Sequence, residues 1–168
     1  IASSKPLVLD ADALNAIAFN ASLETDLAAR TKAPTLLTPH PAEAARMLHR
    51  KTGQVNEDRV GSAIALAKRF NAPVVLKGAG TIIASPGKRP VVMAAGNPGM
   101  AVGGMGDLLT GCIAAMLAQG LSPHDAATDG ALLHSCAGDA AAREDGERGL
   151  LPSDLLPWLR RLANPVRR

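Results

Sequence analysis

The stretch Val60-Gly61-Ser62-Ala63-Ile64-Ala65-Leu66-Ala67-Lys68-Arg69-Phe70-Asn71-Ala72-Pro73-Val74-Val75-Leu76-Lys77 decides the fold class. Val60, Ile64, Ala67 and Phe70 recur every three to four residues and predict one apolar stripe along a helix, which Asn71-Ala72-Pro73 ends. The apolar run Val74-Val75-Leu76 that follows reads as a buried strand closing on a lysine. A helix leading into a buried strand implies a βαβ crossover and therefore parallel strands.

The same grammar extends outward in both directions. Upstream, Pro6-Leu7-Val8-Leu9-Asp10 is a short apolar run ending on a carboxylate, with Asp12 as a cap for a helix beginning near Ala13. Thr35-Leu36-Leu37-Thr38 is a second strand, closed by Pro39-His40-Pro41 before a helix over 42–50. Downstream, Thr81–Ala84 and Val91–Ala94 flank the turn Ser85-Pro86-Gly87-Lys88, a hairpin at a sheet edge. Helices are predicted from Asp107 to Gly120 and around Leu132, Leu133, Cys136, Ala137 and Ala140. A last one follows Pro152, capped by Ser153 and carrying Leu155, Leu156, Trp158, Leu159 and Leu162. Without repeats or a linker, this is an α/β three-layer fold around a mostly parallel sheet, its ligand site at the C-terminal strand edge near Asp107.

Composition narrows the function classes. At 168 residues and 47% hydrophobic content the chain can bury a sizeable core, and the 2% aromatic content speaks against stacked recognition of nucleic acid. The net charge of +3 and pI near 9.2 are carried partly by Arg160, Arg161, Arg167 and Arg168, read as a solvated basic tail. Cys112 and Cys136 lie in Ala-rich helical patterns without metal spacing, which predicts buried free thiols and a reducing compartment. No apolar run approaches the ~18 to 20 residues that span a bilayer, and the start Ile1-Ala2-Ser3-Ser4-Lys5 lacks a signal-peptide pattern. The expectation is a cytoplasmic protein that begins downstream of its native start.

Three loops carry chemistry. Gly96-Asn97-Pro98-Gly99-Met100-Ala101-Val102-Gly103-Gly104-Met105-Gly106-Asp107 leads into a helix whose first amides lack intrahelical partners and sit at the positive dipole end. Gly104, Met105 and Gly106, with Asp107, could therefore cradle a phosphoryl group as an anion hole. Asp107 could accept a proton from an attacking hydroxyl, or merely cap the helix. Thr38-Pro39-His40-Pro41-Ala42-Glu43 places an imidazole and a carboxylate at a strand-to-helix junction, where Glu43 could hold a metal through water or simply favour the helix dipole. His40 reads equally as a structural residue. Lys77-Gly78-Ala79-Gly80-Thr81 brings a lysine to the ligand edge, where Lys77 and Thr81 would meet phosphate or ribose oxygens, unless the loop is only a hairpin entry. Asp10, Asp12 and Asn15 form a further polar group at the first strand end. His49, His124 and His134 have no companions at metal spacing and are read as surface or packing residues.

In combination, Leu9-Asp10-Ala11-Asp12-Ala13-Leu14-Asn15, Thr38-Pro39-His40-Pro41-Ala42-Glu43, Lys77–Thr81 and Gly103–Asp107 resemble, in this order, the motifs of NAD(P)H-hydrate dehydratases of the ribokinase-like superfamily. The resemblance spans nearly the whole chain. The His at position 40 sets it apart from sugar kinases, which usually carry Asn there.

The resemblance implies ADP- or ATP-dependent dehydration of the (6S)-hydrate of NADH or NADPH, by phosphorylation of its hydroxyl and loss of phosphate, with Mg²⁺ accompanying the nucleotide. It implies that His40 and Asp107 contact the hydrated cofactor and that Asp107 is the base. It also implies that Lys77, Gly78, Ala79, Gly80, Thr81 and Gly106 bind adenine nucleotide, with Glu43 holding metal through water. Residues 1–168 would be the C-terminal part of one ribokinase-like domain lacking its N-terminal part, in a homo-oligomer for which a tetramer is one form. Ala42 departs from the family's usual Gly, a change expected to be tolerated. The alternatives are a ribokinase-like small-molecule kinase and a nucleotide-binding module without catalysis.

Overall fold

The computed structural model describes residues 1–164, so Arg167 and Arg168 of the basic run lie outside the described residues. Five strands form one sheet in chain order: β1 (Leu7–Leu9), β2 (Thr35–Leu37), β3 (Val74–Leu76), β4 (Ile82–Ala84) and β5 (Val91–Val92). β1, β2 and β3 run parallel, and β4 and β5 continue antiparallel as the expected edge hairpin.

Two helices, α1 (Ala11–Ala18) and α2 (Ala21–Ala28), make the first crossover. Three more, α3 (Pro41–Met47), α4 (Thr52–Glu57) and α5 (Arg59–Phe70), make the second. The chain then adds α6 (Met105–Ala118), α7 (Pro123–Asp145) and α8 (Pro152–Leu162). α2 and α4 are additional to the helices expected from the sequence pattern. α4 is separate because α3 stops at Met47 and His49 takes a left-handed φ of 53°, ending the expected 42–50 helix early.

The pleat sorts the strand residues into two cores, because successive side chains point to opposite faces. Leu37, Val74, Leu76, Ile82 and Ala84 pack with Leu14, Leu27, Met47, Leu66 and Phe70 of the first five helices. Leu36, Val75 and Ile83 pack on the other face with Leu109, Ile113 and Leu117 of α6 and Ala126, Ala127 and Ala131 of α7. The result is the expected three-layer arrangement of helices, sheet and helices. A third cluster, Met105, Ala137, Ala141, Leu150 and Leu155, fixes α8 to α7 and to the start of α6.

The buried faces of two helices differ from expectation for one reason. Val60 and Ile64 of the expected stripe are 40% and 44% exposed, whereas Ser62, Ala63, Leu66, Ala67 and Phe70 are buried. On α7, Leu132 is exposed and Gly130 and Ala131 are buried. In both helices small residues let the backbone approach its neighbour closely, a gain that apolar periodicity does not register. Cys112 is buried and free as expected, but Cys136 is only half-buried.

Two helix caps also require correction. Asp12 is exposed inside α1 and Asp10 occupies the cap position, without a side-chain cap bond because its carboxylate is engaged elsewhere. Ser153 lies within α8; Leu151 is the cap residue, and its N–H donates to the Asp154 carboxylate at 2.8 Å. Arg161 of the basic run stacks over the Trp158 ring, 4.7 Å from its centroid. Among the described residues no helix is long and apolar enough to cross a membrane.

The α6–α7 contact yields a direct stability test. A Cβ on Gly130 would come within 2.8 Å of Ile113 Cγ1 and 3.0 Å of Ile113 Cα, so backbone as well as side chain must move. Gly130→Ala is expected to destabilise by about 1–3 kcal/mol despite its better helix propensity. A urea midpoint equal to or above wild type would contradict this packing.

Candidate functional site

Parallel strands end on the same edge, so the residues that follow β1, β2 and β3 are brought together whatever their separation in sequence. Lys77, just past β3, extends to Asp10, just past β1, with Nζ 2.5 Å from Asp10 Oδ1. Thr110, in the second turn of α6, donates its hydroxyl to Asp10 Oδ2 at 2.9 Å. Thr38, past β2, donates to the Leu9 carbonyl at 3.2 Å and lies 3.5 Å from the Thr110 hydroxyl. Burial alone would raise the Asp10 carboxyl. The Lys77 ammonium and the Thr110 hydroxyl outweigh it and hold Asp10 below its ordinary 3.8.

His40 and Glu43 form a reciprocal cap on α3. His40 Nδ1 accepts from the Ala42 and Glu43 amides at 3.1 and 3.3 Å, and Glu43 Oε2 accepts from the His40 amide at 2.7 Å. Glu43 is 4% exposed, with Oε1 3.3 Å from His40 Nε2 and Oε2 3.9 Å from Lys77 Nζ. The structural reading of both residues is thus realised, yet the His40 ring is 47% exposed and remains open to a ligand. Among the described residues no group of three or more His, Cys, Asp or Glu is gathered as a direct metal site.

Above this cluster stands the start of α6. Gly104 caps the helix with φ 87°, a conformation that favours glycine, and a Cβ there would also meet Pro152 Cγ at 3.1 Å. The Gly106 amide has no intrahelical acceptor, and a Cβ at Gly106 would sit 3.4 Å from Lys77 Nζ and 3.7 Å from Asp10 Oδ2. The start of α6 therefore lies over the Lys77–Asp10 pair. Asp107 is the third residue of α6 rather than its cap, and it is exposed at the mouth of the site.

The Lys77–Thr81 loop is shaped by a residue that the sequence did not single out. Arg59, the first residue of α5, donates to the carbonyls of Leu76, Lys77 and Gly80 at 3.3, 3.3 and 3.5 Å. Gly78 (φ 134°) and Gly80 (φ 63°) allow the loop to turn around that guanidinium. The Thr81 hydroxyl donates to the Gly78 carbonyl at 3.0 Å and can receive a ligand only as an acceptor. Of the first polar group, Asp10 joins the site; Asp12 is exposed, and Asn15 instead accepts from Arg46 at 2.9 Å.

Of the remaining histidines, His49 and His124 lie apart from these loops, whereas His134 lies against the Met105 backbone at the start of α6. His49 neighbours Glu24 and Arg69, and His124 pairs with Ser85 at 2.8 Å. His134, on α7, is buried with Nε2 lacking a hydrogen-bond partner. Burial pushes its pKa down to about 4, against a weaker opposing pull from the Met105 backbone.

Two measurements test this arrangement. Lys77→Met removes the ammonium and leaves burial as the leading influence on Asp10, so the Asp10 carboxyl is expected to rise above its value in the wild-type protein. A side-chain NMR titration in which it stayed put would refute the pairing. His134 binds a proton near 6.5 when unfolded and near 4 when folded. Between these values the unfolded chain holds more protons, so stability is expected to fall by up to roughly 3 kcal/mol as pH drops through that window. His134→Gln should flatten the slope, and an unchanged slope in that variant would assign it to other groups.

Comparison with known proteins places this geometry. The sequence model of the family described as NAD(P)H-hydrate dehydratase (Carb_kinase) matches residues 1–161. The bifunctional NAD(P)H-hydrate repair enzyme Nnr of Coxiella burnetii is 47% identical over 160 residues, which are 95% of this chain and 31% of that protein. The ADP-dependent (S)-NAD(P)H-hydrate dehydratase of Neisseria meningitidis is 44% identical over 165 residues, 98% of this chain and 55% of that protein. The crystal structure of the Bacillus subtilis ADP/ATP-dependent NAD(P)H-hydrate dehydratase co-crystallised with ATP/Mg²⁺ superposes with a TM-score of 0.79 at 32% identity, over 94% of this chain and 54% of that one. The chain thus spans from under a third to about half the length of these relatives, and it belongs to the NAD(P)H-hydrate dehydratase family, with a ribokinase-like fold.

Proposed function

We propose that this chain carries the phosphoryl-transfer edge of an ADP- or ATP-dependent NAD(P)H-hydrate dehydratase, as the C-terminal part (residues 1–168) of one ribokinase-like domain. The observation that supports it most is the stacking of the open α6 N-terminus over Lys77. Dipole, free amides and ammonium all favour a phosphoryl group at one point. Asp107, exposed beside that point, accepts the proton of the hydrate's hydroxyl as its oxygen bonds to the terminal phosphorus of ADP or ATP and the bridging oxygen leaves with AMP or ADP. Loss of phosphate from the ring carbon, with a proton from its neighbour, then restores the dihydronicotinamide.

His40, half-exposed at the same edge, contacts the hydrated cofactor in this reading, and Lys77 through Thr81 with Gly106 hold the adenine nucleotide. Glu43 would supply the hard oxygen donor that suits Mg²⁺. Both Glu43 oxygens already face His40 or Lys77, so Glu43 fits contact through water rather than direct ligation. When bound, the ion would neutralise the phosphate charge. β1, with half-buried residues at one edge of the sheet, offers backbone groups to which further structure or another copy could pair, and a homo-oligomer fits that edge.

The experiment is incubation with hydrated NADH, Mg²⁺ and ADP or ATP, following return of dihydronicotinamide absorbance. Recovery is expected with the wild-type protein and a fall of about 10²–10⁴-fold with Asp107→Asn. A stable phosphorylated product instead of recovered NADH would make the protein a small-molecule kinase, and nucleotide binding with neither product would make it a binding module.

A further inference from the structure

The segment that delivers the α6 N-terminus, residues 94–104, is almost without regular structure. A single 3-10 turn, Pro98–Met100, is its one regular element. An irregular loop can present amides to a phosphoryl group with useful accuracy only if something outside it fixes its path. The loop's own bonds, Met100 N–H to the Asn97 carbonyl and Gly99 N–H to Asn97 Oδ1, shape the turn without attaching it to the body.

The attachment comes from α7. Asp139 accepts from the Gly96 N–H with Oδ2 at 3.0 Å and from Asn97 Nδ2 with Oδ1 at 3.1 Å. Asn97 is thereby held with its amide nitrogen toward the carboxylate and its oxygen toward Gly99, and one side chain links the helix to the turn. One residue earlier on α7, Gly138 gives Met100 its seat, since a Cβ there would overlap the Met100 side chain. Among the described residues, the two bonds to Asp139 are the side-chain hydrogen bonds that join residues 94–104 to another element.

We propose that Asp139 is a positioning residue for phosphoryl transfer: its carboxylate clamps Gly96 and Asn97 and so sets where the Gly104–Asp107 amides stand. This rests on the function proposed above. Asp139 lies on the α7 side of the loop and touches none of Lys77, His40 or Asp107, so its influence passes through the backbone. A carboxylate suits the task because both groups facing it are donors. An amide could satisfy only one of them and would turn its own NH₂ toward the other.

The test compares wild type, Asp139→Asn and Asp139→Ala in the protein that carries this chain, using the NADH-hydrate assay, thermal melting and amide hydrogen exchange. The expected result is a fall in kcat of about 10²-fold for Asp139→Ala, as for a small misplacement of reacting groups. Asp139→Asn should fall between, with the change in kcat larger than the change in KM for ADP in either variant. Amides of residues 96–104 should lose protection while those of α7 keep theirs. A merely structural role would lower the melting temperature and leave kcat per folded molecule at the wild-type value, which would overturn the proposal. Unchanged protection of 96–104 in Asp139→Ala would overturn it as well. Should the wild-type protein not turn over the hydrate, the dehydratase reading fails, and the exchange comparison alone decides whether Asp139 holds the loop.

Discussion

The contact between Lys77 and Asp10 is the interaction on which the rest of the site depends. It joins the ends of the first and third strands across the sheet, and Thr110 brings α6 into the same arrangement by donating to the other Asp10 oxygen. A lysine drawn this far from water needs a fixed partner, and a carboxylate in the same position needs a fixed donor. Each makes the other tenable, and together they hold an ammonium donor at a fixed place beneath the free amides of a helix start.

Around that ion pair the protein uses three different devices to fix irregular backbone. His40 and Glu43 cap α3 reciprocally, so the loop after β2 is closed by its own side chains. Arg59 gathers three carbonyls of the loop after β3 from the start of α5. The loop before α6 is held from α7, by Asp139 and by the seat that Gly138 leaves for Met100. In each case a regular helix carries the group that disciplines the loop, which is how loops become accurate enough to bind phosphate.

Much of this was legible in the sequence because it follows from period and punctuation. Short apolar runs between amphipathic stretches specified the five strands and their order of appearance, and Gly-rich or Pro-bounded breaks marked the three loops. The largest apolar residues do not by themselves mark the buried face of a helix. On α5 and α7 the buried positions go to Ser62, Ala63, Gly130 and Ala131, because close helix packing selects small residues and turns Val60, Ile64 and Leu132 outward. Asp12 and Ser153 have the residue type of a cap, yet neither takes the cap position. Asp10 takes the cap position of α1 while its carboxylate serves a lysine far away in sequence, and no local rule contains that fact.

The sequence by itself determined the α/β class, the alternation of strand and helix, and the identity of the loops, since these depend on interactions within a few residues. Its motifs also carried the resemblance to the family. Only the tertiary structure decided which of those polar residues meet. It set Lys77 against Asp10 and Thr110, left Asp12 in solvent, turned Asn15 toward Arg46, and brought in Arg59 and Asp139, which carry no motif. The physical reason is that a parallel sheet collects its strand ends at one edge, so the partners of a charged group are chosen by strand order and helix packing rather than by separation along the chain.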